Sequence, residues 1–389
     1  MTGKLILAVG TALVIIAPGT AHGQTVQPAT ALDGLQRLLA PQFGRPGGAS
    51  VDYVGQLLAN QIATVAFGPF LIDRAQTLGM RGAAEFRFSY QPMRFGTFEG
   101  LDLDKGEINS FSGGIARVPV TSVTTATVSA GVATVFAAVA LSPRIDLAVV
   151  APVIRAHVEG ALQTIEDRGT PSEEPFAAPL RIAPSSFSWF GDVATRVKWN
   201  VLAYERVHVS ALGEVRWPTG DPERLTGTGD IVPKAGLLTS FTDAADRLGL
   251  NLTLSFAKGR DGVDIGQFNS PPFSGPIVIR AGSLDEWAYG AGAAWSANPR
   301  TTIRGDVLIR TLPNAVRFQQ GTVRSASAIQ TQSRLTPAPG ALTLGASVVG
   351  MELRLSESAV ATFTVLLPLT RHAGLQPHIM PAVAIEVGR

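Results

Sequence analysis

The 389-residue chain contains no cysteine. That absence excludes a disulfide framework, thiolate-ligated zinc and a thiol nucleophile. It also suits an oxidising compartment, where stray thiols are a liability. Charge is scarce too: Asp, Glu, Lys and Arg make up 16% of residues and nearly cancel, leaving a formal +2. A nucleic-acid binder would carry a basic stripe, so no nucleic-acid partner is expected. Aromatic residues reach only 7%, yet mean hydropathy is +0.22, apolar for a soluble chain of this length. The five histidines (His22, His157, His208, His372 and His378) show no metal-ligand spacing. We expect no metal, no cofactor and no catalytic residue.

Long hydrophobic runs are the remaining scarcity. One lies at the start: Lys4 supplies a short positive region, residues 5–16 are apolar, and Pro18 breaks the run. Ala21-His22-Gly23 then offers small residues where a signal peptidase reads, so cleavage is expected before Gln24. The competing reading is a retained anchor, for which the run is short. Further on, only residues 123–141 compete as a spanning helix. They are interrupted by Thr124, Thr125, Thr127, Ser129, Gly131 and Thr134, and closely spaced hydroxyls on β-branched residues suit strands better. A chain without spanning helices can cross a membrane only as a closed barrel.

What is present is alternation. In 207–217, Val207, Val209, Ala211, Gly213, Val215 and Trp217 oppose His208, Ser210, Leu212, Glu214 and Arg216. In 301–311, Ile303, Gly305, Val307 and Ile309 oppose Arg304, Asp306, Leu308 and Arg310. Leu248, Leu250, Leu252, Leu254 and Phe256 oppose Gly249, Asn251, Thr253 and Ser255. Val193, Val197, Trp199 and Val201 oppose Asp192, Arg196, Lys198 and Asn200, and Phe86, Phe88 and Tyr90 oppose Glu85, Arg87 and Ser89. Period two means strands with one apolar and one polar face. Residues 145–151 are apolar on both faces and weaken the pattern there.

A soluble sandwich also alternates, so the connections decide. Short turns at 141–144, 204–206, 242–247, 297–300 and 355–357 take turns with long loops at 93–120, 160–190, 218–232, 259–284 and 312–340. Short turns on one side and long loops on the other mark outer-membrane barrels. About twelve strands are predicted, near 82–92, 121–140, 145–159, 190–203, 207–217, 233–242, 248–258, 285–296, 301–311, 341–354, 359–370 and 375–388. The alternative is fourteen. The expected fold is all-β: a transmembrane, antiparallel, up-and-down β-barrel over 81–389. Trp287, Tyr289 and Trp295 share one face of one strand, as an aromatic girdle would have them. Residues 24–80 precede the barrel and are partly helical by the three-and-four spacing of Tyr53, Val54, Leu57, Leu58, Ile62 and Val65. They would form a plug or a tether.

Residues 190–259 carry a resemblance. Gly191-Asp192 opens a basic strand (Arg196, Lys198), the next strand closes on Trp217-Pro218-Thr219-Gly220-Asp221, and Gly227 and Gly229 follow. Phe67-Gly68-Pro69-Phe70, Asp73-Arg74-Ala75 and Ser142-Pro143-Arg144-Ile145-Asp146-Leu147 extend the likeness. This layout resembles the outer-membrane transporter-like family named for the phenol meta-cleavage degradation pathway, distantly similar to fatty-acid and aromatic-hydrocarbon outer-membrane channels. The resemblance implies an outer-membrane location and passive uptake of small hydrophobic or aromatic compounds, with no enzymatic activity. Its implied partners are outer-membrane lipid, lipopolysaccharide, the barrel-assembly machinery and small hydrophobic solutes. One departure is the ending Glu386-Val387-Gly388-Arg389, where such barrels commonly place an aromatic residue.

The candidate lumen lining comprises Glu85, Arg87, Arg196, Lys198, His208, Glu214, Arg216, Arg304, Asp306 and Arg310. Their expected roles are tuning what passes or pairing with one another to fill a narrow barrel, since charges in a membrane protein face its interior. Pro218, Thr219, Gly220 and Asp221 form the family motif. Without a P-loop lysine and helix, they read as a strand-ending turn. A structural or surface-interaction barrel with a closed lumen is the alternative function.

Overall fold

In the computed structural model the described residues are 24–43, 47–65, 68–114, 117–167, 176–260, 264–269, 276–280, 283–324, 330–370 and 372–388. The expected signal sequence, residues 1–23, lies outside them. Twelve antiparallel strands close on themselves. They are β1 Ala84–Phe98, β2 Arg117–Ser142, β3 Ile145–Glu166, β4 Val193–Tyr204, β5 Val207–Trp217 and β6 Val232–Thr242. The second half comprises β7 Leu248–Ala257, β8 Glu286–Asn298, β9 Thr301–Leu312, β10 Leu342–Arg354, β11 Ala359–Pro368 and β12 Met380–Gly388. Each pairs with the next, and β12 returns to β1 from Glu85 opposite Gly388 to Tyr90 opposite Val383. The expected barrel is present with twelve staves, not fourteen.

Alternation sorts the two faces. Phe86, Phe88, Leu250, Leu252, Leu254, Trp287, Tyr289 and Trp295 are exposed outward, while Arg196, Glu214, Arg216, Arg304, Asp306 and Arg310 are buried. An apolar band continued around a barrel far exceeds the patch a soluble monomer tolerates, and lipid is the solvent that suits it. Residues 123–141 are part of a strand, as their hydroxyls argued. The short turns gather at one end with both barrel termini, and the long connections gather at the other.

The wall has two irregularities. Outer β3 pairs with an additional strand, Phe176–Phe190, and inner β3 pairs with β4, the hand-over falling at Gly191-Asp192. The stave expected at 190–203 therefore begins at Val193. At the closing seam, the β1–β12 ladder stops at Tyr90 and resumes at Phe95 with a short strand, Leu375–Pro377. Pro92 and Pro381 lie in the gap. Neither has an N–H to donate, so the stave expected at 375–388 is in two pieces.

The N-terminal segment lies inside the ring. Gln24–Val26 pairs in parallel with Leu180 to Ile182 near the long-loop end. Helix α1, Ala31–Phe43, starts on a reciprocal cap: Asp33 N donates to Thr30 Oγ1 (3.1 Å) and Ala29 N donates to Asp33 Oδ2 (2.9 Å). Helix α2, Gly47–Val65, follows. Leu35, Leu38, Phe43, Tyr53, Leu58 and Ile62 pack against Phe98 at the long-loop end of β1, Val128 of β2, Ile154 and Val158 of β3, and Phe318 of the additional strand Val316–Arg324. Phe43 and Phe318 ring centroids are 4.7 Å apart. The long-loop half of the barrel is thus a packed apolar core. Residues 68–82, here called the strap, then cross the lumen to the short-turn end and lead into β1.

Candidate functional site: the strapped lumen

A strap without secondary structure inside a barrel must find partners for its backbone polar groups. The wall supplies them from inward positions of several staves. Leu71 N and Ile72 N donate to Asp306 Oδ2 at 3.0 and 2.9 Å, and Ile72 O accepts from Arg304 Nη2 at 3.0 Å. Ala75 N donates to Ser240 Oγ at 2.7 Å, and Ala75 O accepts from Asn200 Nδ2 at 3.1 Å and from Ser210 Oγ. Leu78 N donates to Asp146 Oδ2 at 3.1 Å, and Thr77 Oγ1 donates to Pro143 O at 2.8 Å in the β2–β3 turn.

The charged side chains pair around this strap. Arg196 binds Glu214 Oε2 through Nε and Nη2 at 3.1 and 2.9 Å, and it also binds Asp73 of the strap. Arg310 Nε donates to Glu286 Oε1 at 2.8 Å. Asn60 of α2 bridges this row, accepting from Arg216 Nη1 at 3.1 Å and donating to Glu286 Oε2 at 3.2 Å. Nearer the short turns, Arg304 Nη1 meets Glu352 Oε1 at 3.1 Å, and its guanidinium lies 4.1 Å from the Phe70 ring centroid. Arg87 joins Glu85 (2.7 Å) to Glu386 (2.9 Å), and Lys198 Nζ lies 3.7 Å from Asp146 Oδ2. His208 Nδ1 sits 3.4 Å from Asn200 Nδ2.

Burial opposes ionisation of Asp73, but Arg196 above all, with Lys198, Arg87 and Arg304, overrides it and holds that carboxyl at about 2. The side chain is still 43% exposed to the vestibule, so water screens the pairing.

Two cavities flank the strap. On the short-turn side a polar vestibule of about 630 Å³ is lined by Asp73, Arg87, Lys198, Arg304, Glu352 and Glu386 among others. On the helix side an apolar pocket of about 70 Å³ is lined chiefly by Leu71, Met93, Phe95, Leu308, Leu366 and Met380, with Gln61, Arg310 and Gln376 at its margin. Leu71 of the strap faces the pocket, and Asp73, two residues on, faces the vestibule. Among the described residues, no group of three or more His, Asp or Glu side chains could hold a metal.

The Pro218-Thr219-Gly220-Asp221 motif lies outside this arrangement and clips the wall. Thr219 Oγ1 donates to Gly191 O (2.8 Å) and accepts from Val193 N (2.9 Å). The buried Asp192 carboxylate accepts from Gly220 N (3.1 Å), Thr228 N (2.8 Å) and Thr228 Oγ1 (2.8 Å). Asp221 caps a short 3-10 turn by accepting from Glu223 N at 2.9 Å. Gly220 and Gly227 allow the two loop segments to touch: a Cβ on Gly220 would lie 2.6 Å from Gly227 Cα. The motif fastens the β5–β6 loop over the hand-over between staves.

Sequence reasoning reached the inward-facing charges. It met Asp73 and Asp146 only within the stretches of family likeness, not as lumen residues, and it did not reach Asn60 or Glu286, nor the roles of Ser210, Ser240 and Asn200 in holding the strap. Ser210 and Asn200 stood on polar faces already identified, but nothing in the period distinguishes a strap ligand from any other inward residue.

No protein-family model and no curated protein matches this chain. Solved structures are similar to it at low identity. An outer-membrane channel from Pseudomonas putida F1 shares 13% identity over 81% of this chain and 98% of its own, with a TM-score of 0.47. A toluene transporter of Pseudomonas putida shares 10% identity over 94% of this chain and 98% of its own (TM-score 0.38). A Pseudomonas aeruginosa homologue of the FadL channel shares 10% over 94% and 99% (TM-score 0.35).

Proposed function

We propose that this chain is an outer-membrane channel for passive uptake of small hydrophobic or aromatic compounds. The short turns would lie in the periplasm and the long loops at the cell surface, the usual polarity of such barrels. The observation that carries the reading is the junction inside the ring: an apolar pocket and a wet polar vestibule separated by one irregular strap. An apolar pocket favours a small apolar solute. The vestibule provides a way out, and the strap is the gate between them. The resemblance of residues 190–259 to the phenol meta-cleavage family supports aromatic solutes in particular.

A disulfide lock tests this in a chain that has no cysteine of its own. A Cβ built on Gly292 lies 3.4 Å from Ile72 Cβ, close to the 3.5–4.5 Å range of disulfides. The Asp306 carboxylate, whose Oδ1 lies 2.4 Å from that Cβ, must swing aside. The expected outcome for Ile72→Cys with Gly292→Cys is uptake of a small aromatic solute by proteoliposomes when reduced and none when oxidised. Equal uptake in both forms would refute the strap as gate. The packed long-loop half favours a second reading, a barrel whose lumen stays shut. Absence of uptake by wild-type protein would select it.

A further inference from the structure

The outer wall carries a groove of about 660 Å³ beside the closing seam. Three rows of outward residues cross β1, β2 and β3 there. The row nearest the long loops reads Arg94, Ser129, His157; the next reads Pro92, Gly131, Arg155; the third reads Tyr90, Ala133, Val153. A fourth row, Phe88, Val135, Ala151, continues the apolar band. The change from basic to apolar rows falls within the groove, so the groove straddles the edge of the lipid-facing band.

Arg155 stands at that edge on the outward face and makes no hydrogen bond or ion pair with any described residue. An uncompensated cation on the lipid face is destabilising, and an anion beside it relieves the cost. Arg94 and His157 flank it. Two acids lie close by: Asp104 holds Arg94 at 2.9 Å, and Glu159 lies 3.9 Å from His157 Nε2, whose Nδ1 faces Ser186 Oγ at 3.1 Å. Neither acid pairs with Arg155. Gly131 lacks a side chain, which lets the Tyr90 ring lie over it, so that a Cβ there would come 3.0 Å from Tyr90 Oη; this hydroxyl forms the floor beside the cations. A glycine in a strand marks a place where another group can approach the backbone closely. Toward the band the groove is apolar through Val153, and toward the seam through Ile379, Pro92 and Pro381.

We propose that this groove binds a phosphorylated glycolipid of the outer leaflet, the lipid A portion of lipopolysaccharide. Its phosphate would sit between Arg155 and Arg94, where the Tyr90 hydroxyl can donate to it, and an acyl chain would lie along the prolines of the interrupted seam. Guanidinium groups match phosphate in charge and in bidentate geometry. The assignment rests on the reading above that the long-loop end faces the cell surface.

Native mass spectrometry of the purified barrel in detergent, titrated with lipid A, with dephosphorylated lipid A and with phosphatidylglycerol, tests the site. The wild type is expected to bind lipid A at least tenfold more tightly than its dephosphorylated form or phosphatidylglycerol. Arg155→Gln removes that preference while the heat-modifiable gel shift of a folded barrel persists. Should Arg155→Gln fail to fold, Gly131→Leu keeps the charge, displaces the Tyr90 ring and its hydroxyl from the floor and carries the same expectation. Equal binding of the three lipids, or an undiminished preference in a folded variant, overturns the proposal. Solute uptake by the same preparations reports separately: loss of uptake with lipid A preference intact removes the channel reading and spares the site.

Discussion

Two neighbouring residues on β7 give the sharpest test of the fold, because they face different solvents. Leu252 points outward, 57% exposed, in the row Thr239, Leu252, Ala291, Val307. At roughly 3.4 Å per residue and a tilt near 40°, it stands ~10 Å above Leu248 at the short-turn end of the strand. In a lipid-facing band about 25 Å tall, that is close to the midplane. Leu252→Arg is therefore expected to cost about 2–4 kcal/mol. Asn251 points inward, lines the vestibule and accepts from Ser240 Oγ at 2.6 Å. Asn251→Arg loses that bond, worth about 1 kcal/mol, and its guanidinium can extend into the 630 Å³ of the vestibule. The expected gap is ~1–3 kcal/mol, read as a shift in urea midpoint in lipid vesicles. If Asn251→Arg unfolds the barrel while Leu252→Arg leaves it intact, the register is inverted and every lumen position falls with it.

Asp192→Ala removes three charge-assisted contacts to the β5–β6 loop and should lower stability by at least about 2 kcal/mol; an unchanged urea midpoint would count against the clip. Gly227→Ala places a Cβ 2.5 Å from Asp192 Oδ1 and 2.6 Å from Gly220 Cα. Limited proteolysis should then cut within residues 218–230, where the wild type resists. Because the Asp73 carboxyl is held at about 2 in the fold, below its ordinary 3.8, its ion pair stabilises the strap fully above pH 4. That contribution disappears as pH falls through about 2. Amide exchange at Leu71 to Leu78 should accelerate only in that window, and Asp73→Asn should remove the pH dependence. Acceleration already between pH 7 and 5 would assign the latch to another group.

The wall was legible because each stave touches two different solvents, and two solvents write a period of two. Where one face meets protein instead, the period fades. Residues 145–151 looked apolar on both faces. There the inward Ala148 and Val150 are buried while the outward Leu147 and Val149 face lipid. Farther along β2 and β3 the inward Val128, Ile154 and Val158 pack on the helices and not on water, so the inner face is apolar there too. The Phe176–Phe190 strand and the Val316–Arg324 and Gln330–Pro339 hairpin were read as loop for a related reason. They extend the barrel beyond the lipid band, where no apolar outer face is required. The helices were visible in part, through the spacing of Tyr53 to Ile62, and their place inside the ring stood only as one of two readings, plug or tether.

The strap had short stretches of family likeness but no periodic signature, and its physics explains why. It makes no regular structure, so it has no period, and the gating role proposed for it depends on which wall residues meet its backbone. Those residues, Asn200, Ser210, Ser240 and Asp306, are the same small polar types that any water-filled barrel would turn inward. In an apolar lumen, lifting the strap would orphan each of its amides and carbonyls at about 1–3 kcal/mol apiece. Beside a wet vestibule the released groups on both sides find water instead, and the net loss per bond falls toward about 1 kcal/mol. A polar inner wall therefore does two things at once: it holds the strap in one register and leaves it removable. The apolar core around Phe43, Tyr53 and Phe318, by contrast, has no water to exchange with, so it should stay in place when the strap moves. Amide exchange should then be fast over residues 71–78 and slow over Val51 to Ile62 in the same protein; uniform exchange across both would mean that the plug moves as one body.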